Sequence, residues 1–182
     1  MKIKKTNIKD CFLISPKKKI DSRGSFHRSF CIKTLDSNKI KFNIKQCNVS
    51  INKKKHTLRG FHYQTTPFKE KKILSVNSGS IFNVTIDLRK NSKTFLKIIK
   101  NTLSSKKNEL ILIPAGCANA FLTLNSNTVI QYYMSEIFED QNKKLYKGFR
   151  YDDPFFNIKW PFKPKIFSKK DKSYKNFNSK NF

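Results

Sequence analysis

In Ile81-Phe82-Asn83-Val84-Thr85-Ile86-Asp87, apolar and polar side chains alternate from Phe82 onward, the period of a β-strand. The alternation would send Asn83, Thr85 and Asp87 to one face of a sheet. On a solvent face Asp87 would be inert, whereas in a barrel interior it would need a partner such as Arg59 or His62. Runs of the same character recur at short intervals, separated by Gly, Asn, Ser and Lys: Ser25–Ile32, Phe42–Ile51, Leu58–Gln64, Lys72–Val76, Ser80–Leu88, Leu96–Leu103, Glu109–Ile113, Ala118–Leu124 and Thr128–Ile137. Only Ile32–Ile40 and Ser168–Tyr174 read as helix. Many short strands and few helices predict an all-β sandwich or barrel.

The chain has 182 residues, which suits one domain, expected over residues 1–174. Beyond Lys175 the basic sequence loses strand pattern and is expected to form a mobile tail over 175–182. The longest uncharged segment, Leu110–Ser135, is broken by Pro114, Gly116 and several Asn, so no membrane span is predicted. The N-terminus has only a five-residue apolar patch among lysines, too short for a signal peptide. Cys11, Cys31, Cys47 and Cys117 contain no CxxC pair and read as buried thiols in a reducing cytoplasm.

The formal net charge is +27, which raises nucleic acid as a partner. Of the basic residues, however, 34 are Lys and 5 are Arg, beside 18 Asn and only 3 Ala. The lysines are spread along the whole chain without a basic helix or aromatic-basic alternation, and read as a solvated surface rather than a specific nucleic-acid site. Where lysine is the default, each arginine marks a place for a planar, forked donor. The five are Arg23, Arg28, Arg59, Arg89 and Arg150, and all three alanines crowd into Pro114-Ala115-Gly116-Cys117-Ala118-Asn119-Ala120.

Of the three histidines, His62 stands out, in Arg59-Gly60-Phe61-His62-Tyr63-Gln64. Regular alternation would place Gly60, His62 and Gln64 on one face, with Arg59, Phe61 and Tyr63 on the other. No His-x-His pair with a downstream Glu is present, so no metal site is expected.

That segment resembles the dTDP-4-dehydrorhamnose 3,5-epimerase family. So do Lys72, Val84-Thr85-Ile86-Asp87-Leu88-Arg89, the alanine-rich segment through Phe121, Gly148-Phe149-Arg150-Tyr151-Asp152-Asp153-Pro154 and Ile158-Lys159-Trp160-Pro161. The likeness extends upstream to Asp21-Ser22-Arg23-Gly24-Ser25-Phe26 and Gln46-Cys47-Asn48-Val49-Ser50, covering roughly residues 9 to 172 in the family's order. It implies a cupin-like jelly-roll that acts as a homodimer, without metal or cofactor. Its implied substrate is a nucleotide-linked 4-keto-6-deoxyhexose of deoxysugar and surface polysaccharide biosynthesis, inverted at C3, C5 or both.

By that resemblance His62 is the base, Asp153 holds its ring, Lys72 offsets enolate charge and Tyr132 returns a proton from the opposite face. Arg59 and Arg23 suit the diphosphate and nucleotide, helped by Gln46 and Asn48, with Phe26, Asn119 and Arg150 completing the substrate contacts. Some of these contacts would come from a partner chain's N-terminal strands. Two departures stand out: Asn119 replaces a histidine, and Arg28 replaces a glutamate near the nucleotide base. Glu70 fits a branch that reads Pro-Phe-x-Glu-x-Lys. Competing readings are a nucleotide-sugar ketoisomerase, a non-catalytic sugar-nucleotide-binding cupin and a polyanion-binding protein.

Overall fold

In the computed structural model, residues 1–64, 70–138 and 145–178 are described. Two antiparallel sheets carry the fold. The first orders β1 (Lys2–Lys5), β2 (Phe12–Ser15), β10 (Leu110–Ile113), β7 (Lys72–Ser78), β12 (Thr128–Met134) and β5 (Gln46–Asn52). The second orders β13 (Tyr146–Gly148), β6 (Leu58–Gln64), β11 (Cys117–Thr123), β8 (Ser80–Asp87) and β9 (Ile98–Ser104). A separate hairpin pairs β3 (Lys19–Asp21) with β4 (Gly24–Phe26). Short helices α1 (Ile32–Ser37) and α2 (Lys169–Ser173) lie outside the sheets. The fold is β-rich, as the strand spacing predicts, and cupin-like, as the family resemblance implies.

Three apolar clusters explain why the strands are apolar on both sides. Ile8, Leu74, Val76, Ile81, Leu103, Ile111, Phe121 and Ile130 join side chains of both sheets. The outward face of β8 carries Val84 and Ile86, which pack with Phe61, Phe149, Phe156 and Ile158. Leu35, Ile40 and Phe42 cover Ile14, Ile73, Leu110, Leu112 and Tyr133 of the first sheet. The predicted strand Phe42–Ile51 therefore begins only at Gln46, because the residues before it serve as a cover. Strands β1, β2, β3 and β13 were not anticipated, and of the run Ser25–Ile32 only Ser25 and Phe26 are strand, within β4.

The alternating run behaves as predicted, with Asn83, Thr85 and Asp87 fully buried. Asp87 pairs with neither Arg59 nor His62. Its Oδ1 accepts from Arg89 Nε at 2.8 Å, and its Oδ2 accepts from Arg89 Nη2, Ser92 and Thr94 at 2.8, 2.7 and 2.6 Å. Burial alone would raise the carboxyl's pKa, but these donors overcome it and hold it at about 2.

Residues 175–178, the start of the expected tail, pack against the domain: Phe177 lies on Phe149 and Phe156, with ring centroids 5.4 and 4.9 Å away, and Lys175 O accepts from Arg150 N. The remainder of that predicted tail, 179–182, lies outside the described residues. Cys11 and Cys117 are buried, but Cys31 is half-buried and Cys47 exposed, since they sit on covering or edge segments. No described helix is long and apolar enough to cross a membrane.

Candidate active site

A β-bulge shapes the site. Asn119 pairs with His62 and Phe121 with Arg59, so three steps along β6 face two along β11. The extra residue breaks the alternation. Arg59 and His62, predicted on opposite faces, consequently line the same cavity, while Phe61 turns into the apolar cluster with no exposed surface. Gly60 makes this possible. Its φ is +113°, and a Cβ there would lie 2.5 Å from Asn119 O and 2.7 Å from Ala120 Cα.

The cavity, about 540 Å³, is walled by both sheets. From the second sheet come Arg59, His62, Asn119 and Phe121; from the first come Asn48, Val49, Ser50, Lys72, Tyr132 and Met134. Glu70, Phe138, Tyr146, Ser168, Lys170, Asp171 and Tyr174 close the remainder. Its size and mixed lining suit a small polar molecule.

His62 Nε2 lies 2.6 Å from Asp171 Oδ1. Burial alone would raise the Asp171 pKa; the His62 bond, the Ser168 bond and the Arg59 charge together lower it. Asp171 is buried, and its backbone N–H donates to the N-cap side chain of Ser168 at 2.9 Å, which sets the start of α2. The carboxylate assigned to the histidine from the sequence, Asp153, is elsewhere. It accepts from the backbone N–H groups of Phe155 and Phe177, fastening the C-terminal segment, so its lone pairs serve the chain rather than the imidazole.

The other predicted residues divide. Lys72 is largely buried and pairs with Glu70 Oε1 at 2.9 Å. Burial raises the Tyr132 pKa, with Arg59 pulling weakly against it, so the phenol stays protonated. Arg59 Nε donates to Asn52 Oδ1 at 2.9 Å, which orients its guanidinium. Asn119 Nδ2 donates to Asn83 Oδ1 at 2.8 Å and Val84 O at 2.9 Å. Gln46 does not line the cavity but supports its rim, Oε1 accepting from Phe138 N at 2.8 Å and Asn48 Nδ2 at 3.3 Å.

Arg23, Phe26 and Arg150 do not reach the cavity of their own chain. Arg23 and Phe26 stand on the exposed β3–β4 hairpin, where Arg23 grips Asp21 at 2.7 Å. Arg150 forks onto Asp152 at 2.8 and 2.7 Å at the surface, because the turn places that acid two residues away. Besides Asp171, the sequence reading missed Tyr146, Ser168, Lys170 and Tyr174. The signal for Asp171 was Ser168-x-x-Asp171, a helix-start pattern in which an acid interrupts a run of lysines.

A β-rich scaffold that gathers a histidine–carboxylate pair, a largely buried lysine and a tyrosine hydroxyl around one cavity defines the class as proteins whose site holds groups able to donate and accept protons. Residues 5–179 match the model of the dTDP-4-dehydrorhamnose 3,5-epimerase family, and the chain belongs to that family. It is 33% identical to a dTDP-4-dehydrorhamnose 3,5-epimerase of Sinorhizobium fredii over 168 residues, 92% of this chain and 85% of that one. Its fold is similar to a dTDP-4-dehydrorhamnose 3,5-epimerase from Bacillus anthracis solved with TDP and PPi bound, at TM-score 0.91 and 32% identity over 97% of this chain and 99% of that one. It is similar as well to a Legionella pneumophila dTDP-6-deoxy-D-glucose-3,5-epimerase solved with dTDP-4-keto-L-rhamnose, at TM-score 0.88 and 30% identity, covering 96% of this chain and 92% of that one.

Proposed function

We propose that the protein is a nucleotide-sugar epimerase that inverts C3, C5 or both of a 4-keto-6-deoxyhexose joined to a nucleoside diphosphate, in deoxysugar biosynthesis. The observation that carries this is the His62–Asp171 pair in one cavity with Lys72 and Tyr132. A ketone at C4 acidifies the C–H bonds on either side. With Nε2–H donated to Asp171, Nδ1 accepts the proton from the carbon beside the ketone, leaving an enolate, and the carboxylate steadies the imidazolium. Lys72 offsets charge on the enolate oxygen. Tyr132 belongs to the opposite sheet and, kept protonated by burial, delivers a proton to the other face of the sugar. Arg59 offers its remaining guanidinium N–H groups to the diphosphate, beside Asn48 and Asn119.

The enzyme works as a homodimer in a reducing cytoplasm. Ile20 and Phe26 are 77% and 70% exposed, and Val49 and Ile51 on edge strand β5 are 61% and 66% exposed. These exposed apolar side chains support a paired copy whose hairpin brings Arg23 and Phe26 to the neighbouring cavity. The free cysteines, exposed Cys47 among them, support the compartment.

The test is incubation with dTDP-4-keto-6-deoxyglucose in deuterated water. Deuterium enters at C3 or C5 and the epimer accumulates, while His62→Ala abolishes both. Absence of exchange with every 4-keto nucleotide sugar tried would overturn the reading. Light scattering shows a dimer, which Phe26→Asp converts to monomer; a monomeric wild type refutes the assembly.

A further inference from the structure

Glu70 lies two residues before Lys72 and beside β6, with its backbone N–H donating to Gln64 Oε1 at 2.9 Å. Its side chain is 2% exposed. Both oxygens are engaged: Oε1 by the Lys72 ammonium, Oε2 by the hydroxyl of Tyr146. Tyr146 enters from β13, where it pairs with Gln64, and its ring stands edge-on against Phe138 at 4.8 Å. Burial, then Glu70 beside it, push the tyrosine's pKa far up, so it remains a hydrogen-bond donor.

Taking two such ions out of water is unfavourable, and an apolar pair of similar volume would fill the space at lower cost. The arrangement makes sense where a cation must be held at one point. Among the described residues, the other titratable or permanently charged side chains that line this cavity, tyrosines aside, are Arg59, His62, Lys170 and Asp171, and Asp171 is committed to His62.

We propose that Glu70 is a positioning residue: anchored by Tyr146, its buried carboxylate fixes the Lys72 ammonium against the cavity wall where enolate charge develops. This rests on the reaction proposed above and adds the device that aims its cation. Both Glu70 oxygens are already engaged by Lys72 and Tyr146, so its part is to hold the lysine.

Two readouts test it. The first needs no turnover: acetylation of the full chain at pH 8 with sulfosuccinimidyl acetate, with Lys72 labelling measured by peptide mass spectrometry against exposed Lys53. Glu70→Gln raises the relative labelling of Lys72 at least fivefold, and Tyr146→Phe, which deletes one hydroxyl, raises it about twofold. Unchanged labelling in cooperatively melting Glu70→Gln overturns the proposal. Should that variant not fold, unchanged labelling in Tyr146→Phe overturns it instead.

The second readout is steady-state exchange. Glu70→Gln lowers kcat at least tenfold with KM within threefold, and Glu70→Asp recovers most of the loss. Raised labelling with unchanged kcat refutes the positioning role. A wild type that exchanges no 4-keto sugar refutes the parent reaction, and the labelling then still decides whether Glu70 holds Lys72.

Discussion

Nε2 of His62 and Oδ1 of Asp171 lie 2.6 Å apart although 109 residues separate them in the chain. One belongs to a central strand of the second sheet and the other to a five-residue helix near the C-terminus. The pair places Asp171 behind the imidazole, where the family resemblance had pointed to Asp153. Asp171→Asn preserves shape but loses the charge behind the imidazole, and should lower solvent exchange about 10²–10⁴-fold, the usual worth of acid–base catalysis. Asp153→Asn should leave the His62 hydrogen bond intact and destabilise the fold by about 1–3 kcal/mol, since a buried amide loses its acceptor. Deuterium exchange and urea denaturation of both variants separate the roles; reversal of the two results would refute the assignment.

Tyr132→Phe should uncouple exchange from inversion. His62 can still remove a proton and return solvent deuterium to the same face, while the opposite face has lost its donor. NMR should show deuterium in unepimerised substrate and at least a hundredfold less epimer. Normal epimer yield would mean that another group delivers the proton.

Gly60→Ala should destabilise the protein by about 3–5 kcal/mol, at the severe end of single substitutions. The new methyl would sit 2.5 Å from Asn119 O, with φ at +113°. Both neighbours are backbone or short side chain on β11 and cannot swing aside. A denaturant midpoint matching wild type would show that the bulge can relax.

The Asp87–Arg89 pair predicts an acid limit. Asp87 has its pKa lowered from 3.8 to about 2, so its stabilising contribution is complete above pH 4 and is lost as pH falls toward 2. Arg89→Met should cost about 2–4 kcal/mol at pH 7 and flatten that acid dependence, because the carboxylate then stays buried without its fork. Urea unfolding at pH 7, 4 and 3 gives the slope; identical slopes in both proteins would discount the pair.

β6, β8 and β12 were legible in the sequence as short runs rich in β-branched and aromatic residues, and in β8 the alternation also gave the inward face. Alternation failed where β6 takes in one extra residue, since Gly60 disguises a register change as ordinary alternation. The search for forked cations was sound in its chemistry and misled in its target. Arg23, Arg89 and Arg150 all grip an aspartate two residues away, and only Arg59 of these candidates opens on the cavity. Asp171 was hidden for a different reason. Lys169-Lys170-Asp171-Lys172 reads as solvated surface, and nothing local reveals that the helix folds back onto a strand over a hundred residues upstream.

That small helix sets how the protein should fail on warming. A single turn capped by one serine has few contacts of its own, whereas the sheets beneath carry three packed clusters. Thermal fraying of the turn strips the imidazole of its counter-charge while every strand remains in place. Turnover is therefore expected to vanish several degrees before circular dichroism records any melting, and to return at once on cooling.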